Sequence, residues 1–197
     1  MRYLTDFADQ AVIIPLVIAI AIGLAFQGWR RGASAWLLVV AATFSVMLAL
    51  KLMFLSCTPV FGPFDVRSPS GHVAAATMVA GGLAAILSGR RDIILPVALL
   101  AAVVVGISRL VLGAHSLPEV VLGAAVGLTG AIALLRFSGA PPRLNIAPLV
   151  AVMVAVAVLF HGLHLPAEAA IRHTAYAVAK YVPVCRGTPQ FQRHLAN

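Results

Sequence analysis

The sequence predicts an all-α fold, a polytopic membrane helix bundle with about six transmembrane helices. Three observations predict it. Of the 197 residues, 61% are hydrophobic and only 10% charged, with a mean hydropathy of +1.01, whereas soluble domains are nearer half apolar and a quarter charged. The apolar residues fall in continuous runs that approach the roughly 20 residues of a spanning helix, not in alternating strands of about ten residues. The basic residues cluster at the ends of those runs, as membrane anchors do.

The runs, in order, are Ala11–Phe26, Ser34–Leu55, His72–Leu87, Ile93–Val111, Leu117–Leu135 and Ile146–Leu165. The first and third are short, and the sixth has a core of only Ala147–Phe160. Breakers and charges separate them: Gln27 to Gly32, Gly89 to Asp92, and Gly139 to Arg143. Beyond the sixth, Ala167–Tyr181 reads as an amphipathic interfacial helix. The length suits one integral membrane domain over residues 1–197, with a core at about 45–135 and a partly interfacial tail at about 166–197. No cleaved signal peptide is expected, because the first apolar run lacks a small-residue cleavage site.

Topology follows from the arginines. Arg30 and Arg31, Arg90 and Arg91, and Arg136 and Arg143 mark the turns after the first, third and fifth runs. All three turns then lie on the cytoplasmic side. The turns after the second and fourth runs face outward, with both termini. The net charge of +8 suits contact with phospholipid headgroups. No aromatic–basic interleaving accompanies it, so nucleic acid is not an expected partner. The two cysteines, Cys57 and Cys185, lack metal-site spacing. Both fall on the outward side, where either a disulfide or two unpaired thiols fits.

The polar chemistry concentrates in those outward turns. In Pro69-Ser70-Gly71-His72, Ser70 is placed to cap the following helix, whose free N–H groups and dipole suit an oxyanion. Gly71 allows close approach of an anion, and His72 projects from the first turn. An ordinary capped helix with an interfacial histidine is the alternative. In Ser108-Arg109…His115…Glu119, Arg109 is either a bidentate oxyanion clamp or a snorkelling anchor. Glu119 lies four residues beyond His115, close enough to accept an imidazole N–H and leave the other nitrogen free as nucleophile or base. Ser116 to Glu119 is also a capping box, and the two roles compete for one carboxylate. Lys51 near the end of the second run either snorkels or pairs. Arg67 either joins the same anion site or is a loop charge. Gly123 and Gly127 match a small-residue packing motif, for helix packing inside the chain or between two copies. His161, His164, His173 and His194 are scattered near the outer surface.

These blocks resemble the type 2 phosphatidic acid phosphatases, the PAP2 superfamily, whose three signature blocks read K-x6-R-P, P-S-G-H and S-R-x5-H-x3-D. The second block is intact at Pro69 to His72. The third runs Ser108-Arg109…His115…Glu119, with glutamate for aspartate. The first is Lys51 and then Thr58-Pro59, with threonine for arginine. The resemblance implies a membrane lipid phosphatase acting on a lipid phosphate or pyrophosphate, with phosphotransfer as the close variant. Implied substrates include phosphatidic acid, phosphatidylglycerophosphate, polyprenyl diphosphates and lipid A phosphates. It implies His115 as the nucleophile that forms a phosphohistidine, His72 as general acid and Glu119 as the group orienting His115. Lys51, Ser70, Gly71 and Arg109 become the phosphate cradle, and Arg67 is expected to stand in for the lost arginine. No metal or other cofactor is implied. The expected location is a bacterial inner membrane with the site on the outer, periplasmic face. The layout also departs from the family's: two helices, not three, precede Lys51, and an extra helix follows the third block.

Overall fold

The computed structural model describes residues 9–57, 66–88, 90, 92–163 and 165–182. Seven helices lie among the described residues, with no strand: α1 (Gln10–Phe26), α2 (Arg30–Ser56), α3 (Gly71–Ser88), α4 (Ile94–Val111), α5 (Leu117–Phe137), α6 (Ile146–Phe160) and α7 (Ala167–Ala179).

Local signals account for most boundaries. Asp9 starts α1 by accepting the Ala11 N–H at 2.8 Å, and Asn145 starts α6 by accepting that of Ala147 at 3.3 Å, which satisfies donors a helix start otherwise leaves open. α5 begins with the Ser116–Glu119 capping box and Pro118 in the first turn. Past α6, Gly162 turns the backbone into the left-handed region at φ 82°, open to glycine at little cost. α6 therefore stops at Phe160, short of the expected Leu165. α2 starts earlier than expected, at Arg30, because both arginines continue the helix instead of ending the turn.

α2, α3, α4 and α5 are long and apolar enough to cross a membrane, while α1 and α6 are apolar but shorter. At about 1.5 Å per residue, the 17 residues of α1 and the 15 of α6 fall short of the roughly 30 Å hydrocarbon layer. Among the described residues there are thus four helices of spanning length with two shorter apolar companions, and the count of about six spans is not confirmed. The exposed surface of the bundle is apolar in helical register. Ile14, Ile18 and Ile22 on α1, and Leu99, Val103 and Ile107 on α4, all face outward. Such stripes are tolerable only in lipid. This is an integral membrane protein.

The core follows from small residues and two tryptophans. α3 packs against both α4 and α5. A Cβ on Gly123 would collide with the Ser70 carbonyl, and one on Gly127 with the Ala74 carbonyl. The glycine motif of α5 is therefore the seat of α3 within the chain. Trp36, fully buried on α2, donates its indole N–H to the Val17 carbonyl at 2.9 Å and ties α2 to α1. At one end of the bundle Trp29, Arg90, Ser138 and Gly139 line a common small cavity, and Arg31 donates to the Phe137 carbonyl at 3.3 Å. The arginine-bearing turns after α1, α3 and α5 thus share one end. The histidine blocks occupy the other.

Candidate active site

Four helix ends converge there: the last turns of α2 and α4 and the first turns of α3 and α5. His115 lies in the turn between α4 and α5, which Gly113 closes in the left-handed region at φ 63°. Its Nδ1 is 2.7 Å from Glu119 Oε2, and both side chains are buried, at 8% and 7% exposure. Pairing through Nδ1 leaves Nε2 as the free nitrogen of a neutral ring. Burial holds the His115 imidazole below the ordinary histidine range and outweighs the opposing pull of Glu119, while Arg109 and Lys51 add to the lowering.

Glu119 does more than orient His115. Its Oε2 also accepts the Ser116 N–H at 3.2 Å and completes the capping box. Its Oε1 accepts the backbone N–H groups of Arg67 at 2.7 Å and Ser68 at 2.6 Å. The sequence sets two roles in competition for this carboxylate, and the structure corrects that. A carboxylate offers about four acceptor positions, and here two oxygens serve the cap, the imidazole and the loop ahead of α3 together. The Ser70 N–H donates to the Glu119 carbonyl at 3.0 Å, which fastens the second and third blocks to each other.

Ser70 stands immediately before α3, as a cap should. Its hydroxyl, however, makes no capping bond: the fully buried Oγ has no hydrogen-bond partner. Arg109 Nε is likewise buried and unpartnered. Unmade hydrogen bonds of buried groups cost about 1–3 kcal/mol each, and the two donors belong to the second and third blocks.

Lys51 does not snorkel. It is 6% exposed, its stem packs beside Gly71, and its Nζ donates to Ser68 Oγ at 3.2 Å and to Glu168 Oε2 at 2.5 Å. His72 lies at the first turn of α3, 29% exposed, in the combined field of Arg109, Lys51 and His115. Arg67 meets Glu119 through its backbone, and its side chain is exposed. The structure therefore brings together Lys51, Ser70, Gly71, His72, Arg109, His115 and Glu119. Thr58 and Cys185 lie outside the described residues, as does His164, and Cys57 is not a free thiol. No group of three His, Cys, Asp or Glu residues among the described residues is arranged to hold a metal ion.

Two acids at this end escape the motif reading. Glu168 projects from α7, the helix expected to lie on the membrane surface, and reaches Lys51. Burial raises its carboxyl, but the Lys51 hydrogen bond and charge, helped by Arg172, outweigh this and hold it below the usual carboxylate value. Asp9, the cap of α1, places Oδ2 3.8 Å from His72 Nε2. A signal was available. The chain has six acids, and Asp9, Glu119 and Glu168 all fall on the outward side.

Residues 54–143 match the family model of the PAP2 superfamily. This stretch is a PAP2 superfamily domain. The matched stretch contains the second and third blocks and the turn that carries His115, and it stops short of Asp9, Lys51 and Glu168. No curated protein and no solved structure matches the chain. PAP2 proteins are generally phosphatases, and a PAP2 domain on membrane-spanning helices supports phosphatase-like chemistry at a bilayer surface.

Proposed function

We propose that this PAP2-domain protein is a membrane lipid phosphatase that hydrolyses a lipid phosphate or pyrophosphate through a phosphohistidine on His115. The observation that carries the reading is the pair of unpartnered buried donors, Ser70 Oγ and Arg109 Nε, beside the His115–Glu119 couple. They mark where an oxyanion binds, next to a nitrogen able to attack it.

In the first step the His115 Nε2 lone pair attacks phosphorus and the bond from phosphorus to the lipid oxygen breaks. His72 gives that oxygen its proton. In the second step His72 takes a proton from water, the resulting hydroxide attacks phosphorus, and the P–N bond breaks to restore His115. Glu119 stabilises the positive charge that His115 carries between the steps. Lys51, Arg109, the Ser70 hydroxyl and the start of α3 at Gly71 neutralise the equatorial oxygens, where phosphoryl transfer needs positive charge. Arg67, exposed in the loop that Glu119 holds, completes the cradle in place of the family's arginine. The site lies on the outer face of a bacterial inner membrane, opposite the arginine-bearing turns.

A lipid substrate fits the surroundings. An apolar groove of about 760 Å³ between α2 and α5, lined by Leu38, Val39, Val46, Ala125 and Val126, begins within about two helical turns of Lys51 and Glu119. An alkyl or prenyl chain would lie in it. A non-catalytic lipid-phosphate binder is the competing reading, favoured by Thr58 in the first block and by Glu168 on Lys51. The test is phosphate release from a panel of lipid phosphates without added metal, with His115→Ala as control. Release by the wild type alone supports the phosphatase. Equal inertness with retained lipid binding overturns it.

A further inference from the structure

We infer that Asp9, at the start of α1, is a positioning residue for His72, its carboxylate placed to stabilise the proton that the imidazole carries when it acts as the acid. The inference rests on the phosphatase reading and adds a residue to it from outside the family-matched stretch.

The geometry divides the Asp9 carboxylate between two tasks. Oδ1 accepts the Ala11 N–H at 2.8 Å and caps α1, which fixes the carboxylate in place. Oδ2 is left facing His72 Nε2 at 3.8 Å, with the Asp9 side chain only 12% exposed. This is ion-pair distance and too long for a hydrogen bond. The imidazole N–H therefore stays available to a leaving oxygen, and Asp9 acts on it through charge.

That charge is needed because of what else faces His72. Lys51 comes from α2, Arg109 from α4 and His115 from the turn before α5. The carboxylates of Glu119 and Glu168 are engaged by His115 and Lys51 respectively. Burial of the ring and, after it, the cations that bind a phosphate both oppose a proton on His72, so a cradle built for the anion works against its own general acid. Asp9 is the acid within ion-pair reach of the ring. In the reaction the proton passes from His72 to the lipid oxygen and returns from water, and Asp9 is not on its path.

Asparagine caps helices as well as aspartate does, so Asp9→Asn keeps the cap and removes only the charge. The experiment compares full-length wild type and Asp9→Asn in lipid–detergent micelles. It records phosphate release from phosphatidic acid against pH, the thermal midpoint, and the NMR titration of His72. An opposite charge at this range moves a titration by about one unit or more. The expected result is an alkaline limb displaced about one pH unit downward, with roughly tenfold lower kcat above it, near-wild-type kcat at acid pH and an unchanged thermal midpoint. Superimposable pH profiles would overturn the proposal. A uniform loss at every pH with a lowered midpoint would overturn it too, by showing a purely structural role. If the wild type releases no phosphate from any lipid, the phosphatase reading fails, and the His72 titration decides this proposal by itself. A midpoint equal in the two proteins overturns it, and a lower one in Asp9→Asn supports it.

Discussion

Lys51 on α2 and Glu168 on α7 are joined by a 2.5 Å ion pair across 117 residues of sequence. The lysine is buried and the carboxylate nearly half exposed, at 45%. Ser56 reinforces the contact by donating its hydroxyl to the Ala175 carbonyl at 3.1 Å. Ala175 and Ala179 are the buried residues of α7, so a narrow alanine edge seats the helix and Glu168 points from it toward the cradle. Glu168 also lies within the electrostatic reach of Arg109 and His115. It occupies the neighbourhood that a phosphate oxygen would claim.

The two anions then compete for one ammonium. Glu168→Gln removes the internal competitor and keeps the shape, so vanadate or inorganic phosphate should inhibit the variant more strongly, by roughly three- to tenfold, about 0.7–1.4 kcal/mol. Inhibition titrations at neutral pH check this. Equal or weaker inhibition would show that Glu168 supports the cradle instead of blocking it.

Acid should loosen the same pair. The Glu168 carboxyl is held below its usual value in the folded chain, so the unfolded chain takes up the proton first. The stabilisation is complete above about pH 4.5 and is lost as the pH falls through the lowered value. Protection of the α7 amides, taken relative to intrinsic exchange at each pH, should therefore hold at pH 6 and fall only as the pH drops below about 4.5. In Glu168→Gln the protection should be low across the whole range.

The acid side of the activity profile depends on His115. Attack requires the neutral ring, and burial keeps the His115 pKa below the ordinary histidine value of about 6.5. A proton therefore binds only at lower pH. Activity should persist below pH 6.5, and the acid limb of kcat/KM should fall beneath that value. A limb centred at 7 or above would contradict the buried geometry.

Spacing made much of this legible in the sequence, and burial explains the rest. The fold class and the pairing of His115 with Glu119 are local: hydropathy marks the helices, and a separation of four residues sets the pair. The Gly123 and Gly127 contact with α3 follows from small residues one helical turn apart. For Glu168 and Asp9 only the outward side was legible and not the partner, because each meets its partner only after α7 and α1 dock, and docking depends on packing between distant segments. The hydroxyl of Ser70 shows the same limit. Its position before α3 is sequence-local, but the burial of its unpartnered Oγ is set only once α3 docks on α5.

Glu119 serves four groups with two oxygens, so its variants should separate chemistry from folding. Glu119→Gln keeps an oxygen acceptor but loses the charge that stabilises the phosphorylated His115. It should lose about 10²–10⁴-fold in kcat, the range of general acid–base contributions, with a modest change in thermal midpoint. Glu119→Ala also strands the N–H groups of Arg67 and Ser68 at about 1–3 kcal/mol each and should unfold markedly earlier. Phosphate-release kinetics and thermal melts distinguish the two.

The loop arginine gives the sharpest test of how the first block is repaired. Threonine at position 58 carries no charge, and the cradle then rests on Lys51, already shared with Glu168, and on Arg109. Arg67 reaches Glu119 through its backbone N–H, a contact that alanine preserves, so Arg67→Ala should leave the fold and the His115–Glu119 pair intact. A guanidinium that completes the cradle contributes about 1.5–3 kcal/mol through charge-assisted hydrogen bonds. Its removal should raise KM or lower kcat/KM by roughly 10- to 100-fold, with an unchanged thermal midpoint. Thr58→Arg placed in the same variant should recover part of the loss, because it restores the missing charge from the first block. Near-normal kcat/KM in Arg67→Ala would mean that Lys51 and Arg109 suffice.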